Sequence, residues 1–291
     1  MNDTSPAAIL RIPKTLQILS LCWEQAEKAV QKIIMNDLPG TDEETITLLF
    51  YVKFAEQLRE VSSKKIFAKA FLIDLVNNFP DLAHMDLGKI AEGLVADVTL
   101  HKRATEKITG GDLGLMIVRP QVTHSSHVLK IGDYRRGILC QAKLKGKTGR
   151  WGKFTQRQRL VLPERMSYLS LLLYSYTDAQ RHNLRDFQWY MCSPVETFEQ
   201  LEAYVNGDTF PRLYDSKTII NAIGSGNIGT DDDDILDQFV SPKKNSTLII
   251  NISWPDRRSN TPDGLAVYVH ATQNEEIRQI HARSQQMHQQ F

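Results

Sequence analysis

Gly110-Gly111-Asp112-Leu113-Gly114-Leu115-Met116-Ile117-Val118, then after a polar interval Gly137-Ile138-Leu139-Cys140-Gln141-Ala142-Lys143-Leu144, is the stretch on which the reading of this 291-residue chain turns. Each apolar run has the length of a buried strand. Each also carries polar residues that such a strand would normally lack: Asp112 opens the first, and Gln141 and Lys143 interrupt the second. Gln141 and Lys143 are two apart, so a strand points both to one face. A carboxylate, an amide and an ammonium converging on neighbouring strands are costly unless solvated, paired or bound to a metal. The plainer alternative is a half-exposed strand beside a Gly-Gly-Asp turn. Agreement between the spacing and the apolar flanks favours a site.

Asp112 on one strand and Gln141-x-Lys143 on the next, with a Glu on a helix upstream, resemble the PD-(D/E)xK nuclease superfamily in its Gln-x-Lys variant, common in prokaryotic restriction and anti-phage effector nucleases. The resemblance covers about residues 89–145. It implies an α/β restriction-endonuclease-like fold, a mixed sheet flanked by helices. It also implies metal-dependent phosphodiester hydrolysis, usually of DNA, with Mg²⁺ or Mn²⁺ as cofactor. In those terms Asp112 is the anionic metal ligand, and Gln141 adds a neutral oxygen alongside a main-chain carbonyl. Lys143 orients or activates the attacking water or stabilises the charged transition state. Gln141 stands where the family more often has an acid, so this position brings no negative charge. Glu92 is the upstream acid expected to complete the set, with Glu106 and Glu44 as rivals. Many effectors of this kind act with a sensor or activator protein, and a homo-oligomer is compatible. The alternative of a different class is a nuclease-fold protein that binds nucleic acid or a partner without cutting.

Composition sets the outer bounds. The chain is 42% hydrophobic and 24% charged, ordinary for a globular protein large enough to bury a substantial core. Its net charge of +1 gives no overall nucleic-acid signature. Three widely spaced cysteines, Cys22, Cys140 and Cys192, fit neither a disulfide framework nor a cysteine zinc site and suit a reducing cytoplasm. No apolar stretch is long enough to span a bilayer, and the N-terminus lacks a secretory pattern. The expectation is a cytoplasmic protein with no membrane partner.

The charge is not evenly spread. From Lys130 to Arg165 eleven basic residues face two acids, Asp133 and Glu164, a balance of +9. Lys145, Lys147, Arg150, Lys153 and Arg157 are the expected phosphate contacts, with Trp151 and Phe154 adding stacking capacity.

Around this centre the pattern predicts a helical region over residues 1–85, an α/β domain over 86–272 and a polar tail over 273–291, or a single domain containing all three. Helices are expected over 15–35, 41–61 and 63–78, the last ending before Pro80. Another runs from Leu87 to about Ala96 and carries Glu92. Residues 97–101 fit either its end or a short strand. Residues 160–176 read as an apolar helix with Pro163 near its start. A strand follows over 187–192 and a helix over 194–205 capped by Ser193. Two further strands are expected over 248–252 and 265–269. Gly224-Ser225-Gly226-Asn227-Ile228-Gly229 fits a Gly-x-Gly-x-x-Gly pattern, but four aspartates follow at once and would repel a pyrophosphate. Those aspartates, Asp231 to Asp234, read as a solvated helix start ahead of Ile235. His101, His124, His127 and His270 show no metal-ligand spacing.

Overall fold

Apolar alternation along the chain builds one mixed sheet with helices on both faces. The computed structural model describes residues 8–36, 43–80, 86–101, 113–125, 128–145, 149–175, 188–192, 195–240 and 247–254. The elements are β1 (Ala8–Ile9), α1 (Pro13–Asn36), α2 (Glu43–Ser63), α3 (Ile66–Asn78), α4 (Leu87–Ala91), β2 (Val95–His101), β3 (Leu113–Ser125) and β4 (Val128–Lys145). They continue with α5 (Gln156–Val161), a 3-10 turn (Leu162–Tyr168), β5 (Leu169–Ser175), β6 (Gln188–Met191), α6 (Phe198–Gly207), α7 (Ser216–Ser225), α8 (Asp233–Val240) and β7 (Thr247–Ser253).

The strand order is β2-β7-β3-β4-β5-β6, with β1 paired to the far end of β3. β3 and β4 form a long antiparallel ladder from Leu113↔Cys140 to Ser125↔Val128. β4 then continues through α5 and the 3-10 turn into β5, which lies parallel to it. β7, late in sequence, inserts between β2 and β3, antiparallel to the first and parallel to the second.

Side-chain alternation separates two cores. On one face Leu115, Ile117, Ile138, Cys140, Leu248 and Ile250 pack under α1, α2, α3 and α7. On the other Met116, Leu139, Leu169, Leu171, Leu173 and Ile249 pack under the 3-10 turn, α6 and α8. The helices of residues 13–78 thus share a core with the sheet. Asp74 of α3 fastens them: its buried carboxylate caps the start of α1, accepting from Lys14 N at 2.9 Å, Thr15 N at 2.9 Å and Thr15 Oγ1 at 2.8 Å. Burial pushes this carboxyl above its ordinary value although the three donors pull it down. The folded state therefore holds that proton more tightly than the unfolded chain does. Asp74's titration favours folding most at acid pH, and that share is lost as pH rises through the carboxylate range.

Three sequence expectations change. The apolar run over 160–176 is a short helix, a 3-10 turn and the strand Leu169–Ser175. Leu169, Leu171 and Leu173 bury on one face of the sheet and Leu172 and Tyr174 pack on the other, so a strand covered on both sides lacks the alternation that marks a strand. The helix expected to reach Ala96 ends at Ala91, where Gly93 at φ +76° turns the chain into β2. Residues 97–101 are accordingly strand. The later helix starts at Phe198 with Thr197 as its cap, not Ser193; Ser193 itself lies outside the described residues. The glycine-rich motif is the end of α7, with Gly226 at φ +86°, and the aspartate run leads into α8. The strand expected over 265–269 and the polar tail also lie outside the described residues.

Asp74→Ala leaves the buried Thr15 donors unmet and is expected to destabilise the fold by about 1–3 kcal/mol in a denaturant titration at neutral pH.

Candidate functional site

β4 runs at the centre of the sheet, and Leu139, Gln141 and Lys143 face the same core. Gln141 is 2% exposed and Lys143 5% exposed. Their partners across the ladder on β5 are Leu171 and Leu173, both buried. Polar groups in such a position persist only if they are hydrogen-bonded.

The second element of the site is α5. Thr155 caps it in a reciprocal capping box with Gln158. The Gln158 side chain then reaches down to the sheet. Its Nε2 donates to Gln141 Oε1 at 2.8 Å, and its Oε1 accepts from the Thr155 backbone N–H at 3.0 Å and from the Lys143 ammonium at 3.4 Å. Lys143 also donates to the Lys153 carbonyl at 3.2 Å and lies 4.2 Å from the centre of the Phe154 ring. Phe154 is held in turn by Phe198 of α6 at 5.0 Å. Gln141 Nε2 donates to the Ala142 carbonyl at 3.2 Å. Gln158 is the residue that the sequence reading missed. Thr155-x-x-Gln158 was legible as a capping pattern, but nothing in the sequence says that a capping Gln also reaches a strand fifteen residues earlier.

The remaining expected residues fare differently. Asp112 and Glu106 lie outside the described residues; Leu113, which follows Asp112 in sequence, pairs with Cys140, which precedes Gln141. Glu92 is not brought to this end of the sheet. His101, Thr247, Gly114 and Leu139 are level across the strands, and β2 begins six residues away at Val95, opposite Ser253. Gln141 is two residues beyond Leu139 in the other direction. Val95 therefore lies eight rows from Gln141, about 26 Å at roughly 3.3 Å per residue. Glu92 precedes even Val95 and is exposed, so it is removed from the candidate set. Glu44 belongs to α2, which packs on the opposite face.

The basic segment is also reshaped by folding. Carboxylates from distant sequence meet part of it: Arg135 pairs with Asp233 and Asp237, Arg136 with Asp231, Arg159 with Glu202, and Lys145 with Asp208. Asp208, at the C-terminal cap of α6 with φ +55°, also accepts from the Trp151 indole N–H. Trp151 and Phe154 are 9% and 4% exposed, so neither offers the stacking face expected from sequence. Arg150, Lys153 and Arg157 are exposed, while Lys147 lies outside the described residues. Cys22, Cys140 and Cys192 are buried and outside any disulfide, and burial pushes Cys22 up to about 12, far from a reactive thiolate.

Among the described residues no group of three or more His, Cys, Asp and Glu side chains could hold a metal ion. The described oxygen donors in contact with Gln141 and Lys143 are amide and main-chain oxygens, all neutral, and Gln141 turns an N–H toward the Ala142 carbonyl. As arranged, these residues do not form a shell for a hard cation. No described helix is long and apolar enough to cross a membrane. No family model, curated protein or solved structure matches the chain.

Asp208→Gly keeps the left-handed backbone accessible while removing both side-chain contacts. It is expected to destabilise the protein by about 1–3 kcal/mol and to shift the emission of Trp151 as its indole N–H loses its acceptor, read by thermal denaturation and by the fluorescence difference from a Trp151→Phe control.

Proposed function

We propose that the chain is a metal-dependent nuclease of restriction-endonuclease-like fold that hydrolyses phosphodiester bonds, with DNA as substrate and Mg²⁺ or Mn²⁺ as cofactor. The observation that carries this reading is the burial of Gln141 and Lys143 on one face of the central strand, joined through Gln158. A protein gains no stability from an ammonium in an apolar face, because desolvation offsets what its contacts return. Such a group is explained by chemistry that needs a positive charge at a fixed point, as charge develops on a phosphoryl oxygen. Asp112, one residue before Leu113, would supply the anionic ligand and Gln141 a neutral one. The exposed Lys153 and Arg157 border this site through the Lys153 carbonyl and α5, and with the exposed Arg150 would hold the phosphate backbone. By resemblance, anti-phage defence or restriction is the setting, in the cytoplasm, with a sensor or activator protein or a second copy as partner.

A second reading follows from one contact. The Gln141 N–H on the Ala142 carbonyl favours a nuclease-fold protein that binds nucleic acid without cutting it.

Plasmid and linear DNA incubated with Mg²⁺, Mn²⁺ or EDTA separate the two. The nuclease reading expects metal-dependent cutting that falls at least about a hundredfold in Asp112→Ala and Lys143→Ala while both variants stay folded. Cutting that persists in both would place the chemistry elsewhere. Salt-dependent binding without cutting by any form would favour the second reading.

Each of Arg150→Ala, Lys153→Ala and Arg157→Ala is expected to lower the slope of log binding constant against log salt by about one, with no change in sequence preference. An unchanged slope in all three would move the binding surface elsewhere.

A further inference from the structure

Two donors, one from the backbone and one from a side chain, fix the Gln158 amide. Its Oε1 faces two donors, the Thr155 N–H at 3.0 Å and the Lys143 ammonium at 3.4 Å. Turning the amide over would set its NH₂ group against both. Its Nε2 is therefore the group that meets Gln141, and Gln141 must answer with oxygen, accepting at 2.8 Å. The Gln141 NH₂ group is then left on the other branch, where it donates to the Ala142 carbonyl at 3.2 Å. A hard cation shared by the Gln141 side chain and that carbonyl requires oxygen in both places. The chain of donors from Thr155 and Lys143 sets a nitrogen in one of them.

We infer that Gln158 acts as a positioning residue that holds the Gln141 amide turned away from a divalent cation, and so restrains metal uptake by this site. The inference rests on the metal-dependent reading above. It assigns α5 a regulatory part: the exposed Lys153 and Arg157 lie on the segment whose capping box makes the restraint. A phosphate backbone drawn to that segment would act directly on the group that orients Gln141.

The test is Mn²⁺ binding to the full chain, followed by electron paramagnetic resonance of the free ion, with circular dichroism on each sample. Gln158→Ala removes the restraint and is expected to tighten Mn²⁺ binding about fivefold, the weight of one net hydrogen bond. Gln158→Met, which keeps the bulk, is expected to do the same. In a Gln141→Glu background the gain should vanish, because a carboxylate has no N–H to turn. Weaker or unchanged binding in both Gln158 variants, with Mn²⁺ bound by the unaltered chain, would overturn the restraint alone. So would a gain that persists beside Gln141→Glu. No Mn²⁺ uptake by any form, Gln141→Glu included, would overturn the metal-dependent reading and the restraint with it.

Discussion

An ammonium and an amide inside the apolar face of a central strand can be kept only while their donors and acceptors are met. Lys143 and Gln141 impose that condition on everything around them. α5 must sit where Gln158 reaches both. The Lys153 carbonyl and the Phe154 ring must close over the ammonium, and Phe198 of α6 must hold Phe154 in place. The capping box at Thr155 is thus both a helix start and the support of a buried polar cluster. In such a cluster one altered orientation propagates, because the two amides, Gln158 and Gln141, each accept at one branch and donate at the other.

The same economy governs the charged surface. The basic segment around β4 meets carboxylates recruited from α6, α8 and the acidic turn before α8. Asp231 and Asp233, read from sequence only as a solvated helix start, face Arg136 and Arg135. These exposed pairs contribute little stability individually. Their effect is on geometry: they tie α8 to β4, while Arg150, Lys153 and Arg157 stay exposed.

Much of this arrangement was legible in the chain. The two strands, the shared face of Gln141 and Lys143, the helices of residues 13–78 and the α/β class follow from periodicity and caps. What was not legible depended on tertiary context. Leu169–Ser175 reads as a helix because a strand buried on both faces shows an unbroken apolar run. Glu92 looked close in sequence to the strand that carries Leu113, yet the seven residues of β2 intervene and set Glu92 beyond the far end of β2. Trp151 and Phe154 looked like stacking platforms because sequence does not show that Asp208 and Lys143 claim them. Gln158 was hidden because its reach from α5 to Gln141 and Lys143 exists only once the chain is folded.

The central claim is that Asp112, Gln141 and Lys143 make one metal-dependent phosphodiesterase site. Anomalous scattering from a crystal of the protein grown with Mn²⁺ and a DNA duplex tests it most directly. The account predicts a manganese peak within bonding distance of Asp112 and Gln141, next to a backbone phosphate and the Lys143 ammonium. A duplex bound with no peak there, or a peak bound by other side chains, would contradict it.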